Sequence, residues 1–269
     1  MAIGDGGVNL EERFSEANRL RPIYEEAVIR LENFLGVLTT GYLKKPVEVD
    51  LCGHAAVRFD APSAEDAILL KFARVVSLNR AMLLLMDRGF VQEQCIIQRS
   101  LEETNEDIMF YSVNVTGSGT SERFEGHLKE FWKEDYEDPN RPRETRIPRG
   151  FSRKGIAPFL HRASGLPDPS LADDVGRVIF SMYSGFTHGA APHIFELYDF
   201  ERKAFMTNGL LGTDRHFGYV LDGANSIYRS LLSASAVSKA FGSQELLELS
   251  KEVTQRFVDS VGMEILEKQ

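Results

Sequence analysis

Cysteine is scarce in this sequence: Cys52 and Cys95 are the only two, and they fall in no metal-ligand spacing. A disulfide scaffold is thereby excluded, and a reducing compartment is the natural expectation. Tryptophan occurs once, and no apolar run approaches the length a bilayer demands; the richest stretch, Ala81 to Met86, suits a buried helix segment. Net positive charge is missing as well. Aspartate and glutamate outnumber lysine and arginine by 40 to 31, a formal charge of −9, which argues against a protein coated in basic charge for nucleic acid. Residues Met1 to Gly7 hold neither a charged leader region nor an apolar one, so no secretory signal, no membrane association and a cytoplasmic location are expected. What remains is ordinary for a globular chain: 269 residues, 43% hydrophobic and 26% charged, long enough for a sizeable core.

The spacing of apolar residues is mostly helical. From Leu10 to Leu38 they recur every three or four positions, with Pro22 expected to kink or restart the helix because it has no amide hydrogen. Val47 to Phe59 alternates around Cys52-Gly53-His54 and reads as a short hairpin. Ser63 is an N-cap for a helix that runs to Arg88-Gly89, with Glu65 and Asp66 favouring the positive end of its dipole. Its apolar residues lie on most sides, which places it at the centre of a bundle. Further helices are expected over Val91–Val113, after Ser121, over Ala172–Gly189, and over Asp214–Phe241 and Ser243–Lys268, with a weak second hairpin in Ile194–Thr207. The fold expected is all-α: a single bundle of about seven helices at 9–269 after a disordered 1–8, with one or two short hairpins.

Two helices carry the candidate chemistry. On Ala172–Gly189, Val175, Val178, Ile179, Met182 and Phe186 would make the apolar face. Arg177, Ser181, Ser184 and His188, spaced by four, three and four, make a polar row close to three turns long. An imidazole at a helix C-terminus has its charged form favoured by the dipole, which suits an acid or a phosphate binder. The row is equally the solvent side of an amphipathic helix. On the Val91 helix, Arg99 can pair with Glu102 or Glu103 one turn on, with Glu106 beyond. Facing inward, such an arginine is an anion binder held by a carboxylate; facing outward, it is a surface ion pair.

The segments Gln98-Arg99-Ser100-Leu101-Glu102-Glu103 and Tyr183-Ser184-Gly185-Phe186-Thr187-His188-Gly189 resemble the two hallmarks of a large bacterial family of helical proteins of unknown function, R-S-L-x-E followed by Y-S-x-x-x-H-G. The resemblance spans roughly Ser63 to Ala190, and the architecture is similar to HEPN-like bundles, many of them metal-independent ribonucleases in toxin and phage-defence systems. That resemblance implies a pocket in which Arg99, Glu102, Ser184 and His188 converge, a homodimer, RNA as substrate and an operon-encoded protein partner. One departure stands out. HEPN ribonucleases usually carry Arg and His four to six residues apart on one helix. Here Arg123 and His127 have three residues between them, and Arg177 and His188 have ten, so a catalytic pair would have to come from two helices.

Pro139 to Pro169 holds six of the ten prolines and reads as a long loop. Within it, Arg141 to Arg162 contains seven basic residues against Glu144 alone, a local balance of +6 that leaves −15 for the rest of the chain. Arg141, Arg143, Arg146, Arg149, Arg153 and Lys154 are candidate phosphate contacts, with Phe151 and Phe159 able to stack on bases. A solvated loop, a clamp on the acidic Glu134-Asp135-Glu137-Asp138 patch and a subunit contact are the alternatives. His188, His193 and Glu196 lie close together, but no Glu-x-x-His pair, His-Glu-x-x-His run, Gly-rich phosphate loop or nucleophile elbow is present, so no metal and no cofactor is expected.

Two functions follow as the leading expectations, ahead of a metal-dependent hydrolase. In the first, His188 acts as general acid or base, Arg99 (assisted by Arg177) stabilises phosphate charge, and Glu102 orients Arg99. In the second, the protein is a non-catalytic regulatory or interaction bundle whose Arg–Glu–His set is a buried structural network. The C-terminal helices, with Leu231, Leu232, Leu246, Leu247 and Val258, would supply the dimer contact.

Overall fold

Helix α1 spans Leu10–Tyr42 without interruption, so Pro22 neither ends nor restarts it. The reason is local: Asn18, whose carbonyl loses its helical donor, and Pro22 itself both face solvent, where water can take the place of the missing bond. The computed structural model describes residues 10–51, 53–117, 121–134, 138, 141, 153, 155–163, 178 and 180–263. The 1–8 segment lies outside them, as do most of the 139–169 loop and the start of the Ala172 helix.

Strands β1 (Val47–Leu51) and β2 (His54–Arg58) form the expected antiparallel hairpin, with Leu51 opposite His54 and Gly53 at a positive φ of 84° closing the turn. Helix α2 (Ala64–Met86) begins in a complete capping box. Ser63 Oγ accepts from the Asp66 amide, and the Asp66 carboxylate accepts from the Ser63 amide at 2.8 Å. Asp66 also holds Lys44 at 2.8 Å, so it anchors the hairpin connection as well as the helix dipole. Helix α3 (Val91–Thr116) follows a tight turn at Gly89, whose φ is +71°. The Leu210 amide donates to the Gly89 carbonyl at 2.7 Å, and a Cβ on Gly89 would lie 2.3 Å from the Leu211 nitrogen. Only glycine fits there.

The remaining elements are α4 (Glu122–Phe131, capped by Ser121), α5 (Ile156–Ala163), α6 (180–187) and a short α7 (Ala191–Ile194). A two-residue antiparallel pair, β3 (Tyr198–Asp199) and β4 (Ala204–Phe205), makes the second hairpin. Helices α8 (Asp214–Ala240) and α9 (Gln244–Val261) end the described chain, the latter stopped by Gly262 at a φ of 69°. The fold is the mostly helical bundle expected, with two small hairpins.

Its centre is shared differently from expectation. Helix α8 packs on α1, α2, α3 and α9, whereas α2 leaves Leu70 and Leu84 exposed. The sequence of α8 explains this, because Gly223, Ala224, Ser226, Ser230, Ser233 and Ala234 are buried and small. A Cβ on Gly223 would come within 2.7 Å of Met86 Cε. The buried serines also form a polar seam. Asn79 Nδ2 donates to Ser230 Oγ at 2.9 Å, Ser233 Oγ donates to Asn105 Oδ1 at 2.7 Å, and Gln98 Nε2 donates to Ser226 Oγ at 3.2 Å. Gln94, Gln98 and Asn105 meet Tyr219, Ser226 and Ser230 in rising order, so α3 and α8 run parallel. Leu231, Leu246 and Val258 are buried in this core, Leu247 is partly buried, and Leu232 lines a groove. Three of the five residues expected at a dimer contact therefore belong to the chain's own core.

Candidate functional site

Helix α3 presents its charges on three sides, and each meets a partner from a different element. Arg99 Nη2 lies 2.7 Å from Glu103 Oε1, an i, i+4 pair, and its guanidinium sits 3.0 Å from the centre of the Phe180 ring on α6. The Arg99 side chain is only 13% exposed, and its Nη1 is buried with no hydrogen-bond partner. Burial favours the neutral form and lowers its pKa, against the opposing pull of the nearby carboxylates. Glu102 makes its ion pair elsewhere, although its charge still acts on Arg99. It is 8% exposed and pairs with Arg229 of α8 at 2.8 Å, so the expected orientation of Arg99 by Glu102 is corrected. Burial raises the Glu102 carboxyl above its ordinary range, with Arg229 pulling the other way.

Arg153 is the third partner. Its Nη2 reaches Glu106 at 3.1 Å and the Glu103 carbonyl at 2.9 Å, and its Nη1 pairs with Asp107. The other Asp107 oxygen holds Lys71 at 2.8 Å, and Lys71 lies 4.6 Å from the Phe131 ring centre. Burial works against the Arg153 charge, but Asp107, Glu106 and Glu103 outweigh it and hold its pKa up. Among the candidate phosphate contacts, Arg153 thus faces α3 carboxylates, Arg141 is exposed, and Arg143, Arg146, Arg149 and Lys154 lie outside the described residues.

Helix α6 is rotated relative to the expected face. Tyr183 and Phe186 are buried against Cys95, while Val178 and Met182 are exposed; Val175, Arg177 and Ile179 lie outside the described residues. The rotation has a packing cause. Gly185 leaves room for the His193 imidazole, whose Nε2 would be 2.1 Å from an added Cβ, and the ring stacks at 4.2 Å on Phe186. Ser184 is half-buried. Ser181 and His188 are exposed, and His188 has no side-chain hydrogen bond or ion pair among the described residues.

Because Cys95 meets Tyr183 and Phe186 while Arg99 meets Phe180, α6 runs antiparallel to α3. His188 stands eight residues beyond Phe180, roughly 12 Å along the axis from the Arg99 stack. Arg99 and His188 therefore do not meet.

Two features were not legible as sites. Tyr219 donates its hydroxyl to Glu196, and Glu196 Oε1 lies 3.7 Å from His193 Nδ1. Gln92 donates to the His193 carbonyl and Arg215 to the Glu196 carbonyl, fixing this segment to the N-terminal ends of α3 and α8. Burial, reinforced by Glu196, pushes the Tyr219 hydroxyl well above its ordinary pKa, so it stays a donor. His193 and Glu196 were visible as a spacing; Tyr219 carried no local signal. The second feature is a groove of about 530 Å³ between α3, α5 and α8, with Met109, Val113, Leu160 and Leu232 on its walls and Glu106 and Arg229 at its polar side.

No helix among the described residues is long and apolar enough to cross a membrane. The fold and site define a helical bundle with an internally paired charge stripe on α3 and an apolar groove beside it. No family model, no curated protein and no solved structure matches the chain.

Proposed function

We propose that this protein is a non-catalytic interaction module, in which the α3 charges are structural. The carrying observation is that Arg99, Glu102, Glu106 and Asp107 are each paired inside the fold with residues of α3, α8, α2 or the segment at 153. Acid–base chemistry on one phosphodiester needs its groups within hydrogen-bond reach of the same few atoms, and a separation of roughly 12 Å does not provide that. The network is an arginine–glutamate one; His188 does not belong to it.

The test compares wild type and His188→Ala in two assays: cleavage of mixed RNA in excess chelator, and thermal melting. We expect intact RNA with both proteins and melting temperatures that agree within about 1 °C, since exposed substitutions outside such networks change stability little. Cleavage by wild type that the variant lacks would replace this reading with a nuclease.

A second reading has its own support. The unpartnered Nη1 of the buried Arg99 is a donor for an anion, and His188 lies about two phosphate spacings further along α6. On that reading the protein binds RNA, or another phosphodiester, without cutting it, as a component of a toxin or defence system. A loss of RNA affinity in Arg99→Ala with folding intact would favour it.

A further inference from the structure

The chain's single tryptophan stands in a second groove, formed by the β1–β2 hairpin, the start of α2 and the end of α4. This groove holds about 550 Å³, within the range of built ligand sites. Pro46, Phe59, Pro62, Leu70, Phe131 and Trp132 make its walls, with Val57 at the hairpin side. Val57 is 62% exposed and Leu70 40%, so apolar surface stays open to water along it. The rings stand at angles to one another. Phe59 and Trp132 meet at 83° with centroids 6.1 Å apart, and Phe131 and Trp132 at 72° and 4.8 Å. Pro46 and Pro62 add rings without an amide hydrogen.

The polar groups of the lining leave one donor over. Arg58 Nη2 reaches Glu134 Oε2 at 2.8 Å, its Nε reaches the other carboxylate oxygen at 2.5 Å, and its Nη1 donates to the Val57 carbonyl at 2.8 Å. Lys133 lies 3.6 Å from Glu130. Every charge in the lining is thus paired within the chain. The indole Nε1 of Trp132, by contrast, is buried with no hydrogen-bond partner. A ligand fits this inventory if it brings apolar surface and acceptors. A charge on it would meet no unpaired counter-charge in the lining, and each N–H it carried would need an acceptor of its own.

That condition selects one kind of chain. A helix keeps its carbonyls for its own ladder. A β-strand brings an N–H at every residue, and the Val57 carbonyl of β2 is already taken by Arg58. A polyproline II segment has no internal hydrogen bonds, so its carbonyls are free, and its prolines carry no N–H. From the Ser63 cap to Leu70, α2 extends roughly 10 Å, the length of three or four residues in that conformation. Trp132 is the C-cap residue of α4, so its ring can turn towards a ligand carbonyl without opening a helical turn, an adjustment of the size common at interfaces. We propose that this groove docks a proline-rich segment of a partner protein in the polyproline II conformation, with prolyl rings against Phe59, Phe131 and Trp132 and a carbonyl accepting from the Trp132 indole. The proposal rests on the interaction-module reading, and peptide binding is measured apart from RNA cleavage, so either can fail alone.

The test uses the full chain. Because Trp132 is the only tryptophan, its emission reports on the groove directly. The probe is acetylated and amidated decaproline, which does not fluoresce. A saturable change in emission is expected, half complete below about 1 mM, with none from a Gly-Ser peptide of equal length. Anisotropy of fluorescein-labelled decaproline then reads the variants. Trp132→Phe keeps a ring and removes the donor, and Leu70→Gln removes apolar surface from an exposed helix position; each is expected to weaken binding about fivefold. Leu70→Gln should leave the melting temperature within about 1 °C, and it decides the matter if Trp132→Phe does not fold. No saturable change up to about 5 mM decaproline, equal binding of the Gly-Ser peptide, or undiminished binding by Leu70→Gln would each overturn the proposal. Half-saturation by N-acetylproline amide at the same molar concentration as decaproline would overturn it in favour of a small uncharged ligand.

Discussion

Replacing Arg229 with methionine removes the ion-pair partner of Glu102 and leaves only the weaker pull of Arg99, while the carboxylate stays 8% exposed. Breaking a buried pair from one side leaves an uncompensated charge and costs about 3–5 kcal/mol; Arg229 keeps 35% of its side chain in water, so about 3 kcal/mol is expected. For a chain of this size that corresponds to a melting temperature lower by roughly 6–12 °C. The pH dependence gives the reasoning its sign. Burial already raises the Glu102 carboxyl above its unfolded value, and losing Arg229 raises it further. A carboxyl whose folded pKa is raised favours the native state when protonated, and that contribution is lost as pH climbs through the folded value. The deficit of Arg229→Met should therefore be largest near pH 7 and narrow towards about pH 5. Urea unfolding of both proteins at the two pH values measures this. The double variant Glu102→Gln/Arg229→Met should recover most of the loss, because a neutral amide needs no counter-charge. A deficit below about 1 kcal/mol, the scale of a surface ion pair, or one that widens as pH falls, would refute the account.

Gly89→Ala should lose more than about 2 kcal/mol, since its Cβ would press on the Leu211 backbone at a positive φ; an unmoved thermal transition would contradict that contact. Arg153→Met strips Asp107 of one of two cations and Glu106 of its partner, and should lower urea stability by about 2 kcal/mol, with a change under about 0.5 kcal/mol marking the cluster as solvated. Cys95 is fully buried, and burial pushes its thiol well above the ordinary range. Peptide mapping after alkylation of the native protein at mildly alkaline pH should find it unmodified, and prompt labelling would show that the α3–α6 contact opens.

What the sequence made legible is what depends on neighbours a turn away. Ser63, Ser121 and Ser243 announce helix starts because a cap bonds to an amide three residues on, and each does so here. The Arg99–Glu103 pair is legible for the same reason. Glu102 is one residue from Glu103 and has the same local options, yet its partner is 127 positions away, and no spacing rule reaches that far. The periodicity of α6 puts Phe186 inside, as it is, but also Val178 and Met182, which are exposed; Tyr183 takes the inner place instead, on the side where the His193 ring lies across Gly185. Asn79, Gln98 and Asn105 read as unremarkable polar positions because their complements are serines on α8.

That seam also governs how the molecule is assembled in time. Asn105 and Ser230 are separated by 125 residues, so joining them closes a very large loop, and the chain gains nothing from the contact until α8 has been made and docked. Helices α2 and α3 can pair much earlier, yet as a pair they present bare amides to solvent on the side where α8 belongs. A chain halted before Asp214 consequently keeps α2 and α3 paired with a polar stripe open where α8 belongs, and the α3–α5–α8 groove comes into being only when α8 arrives.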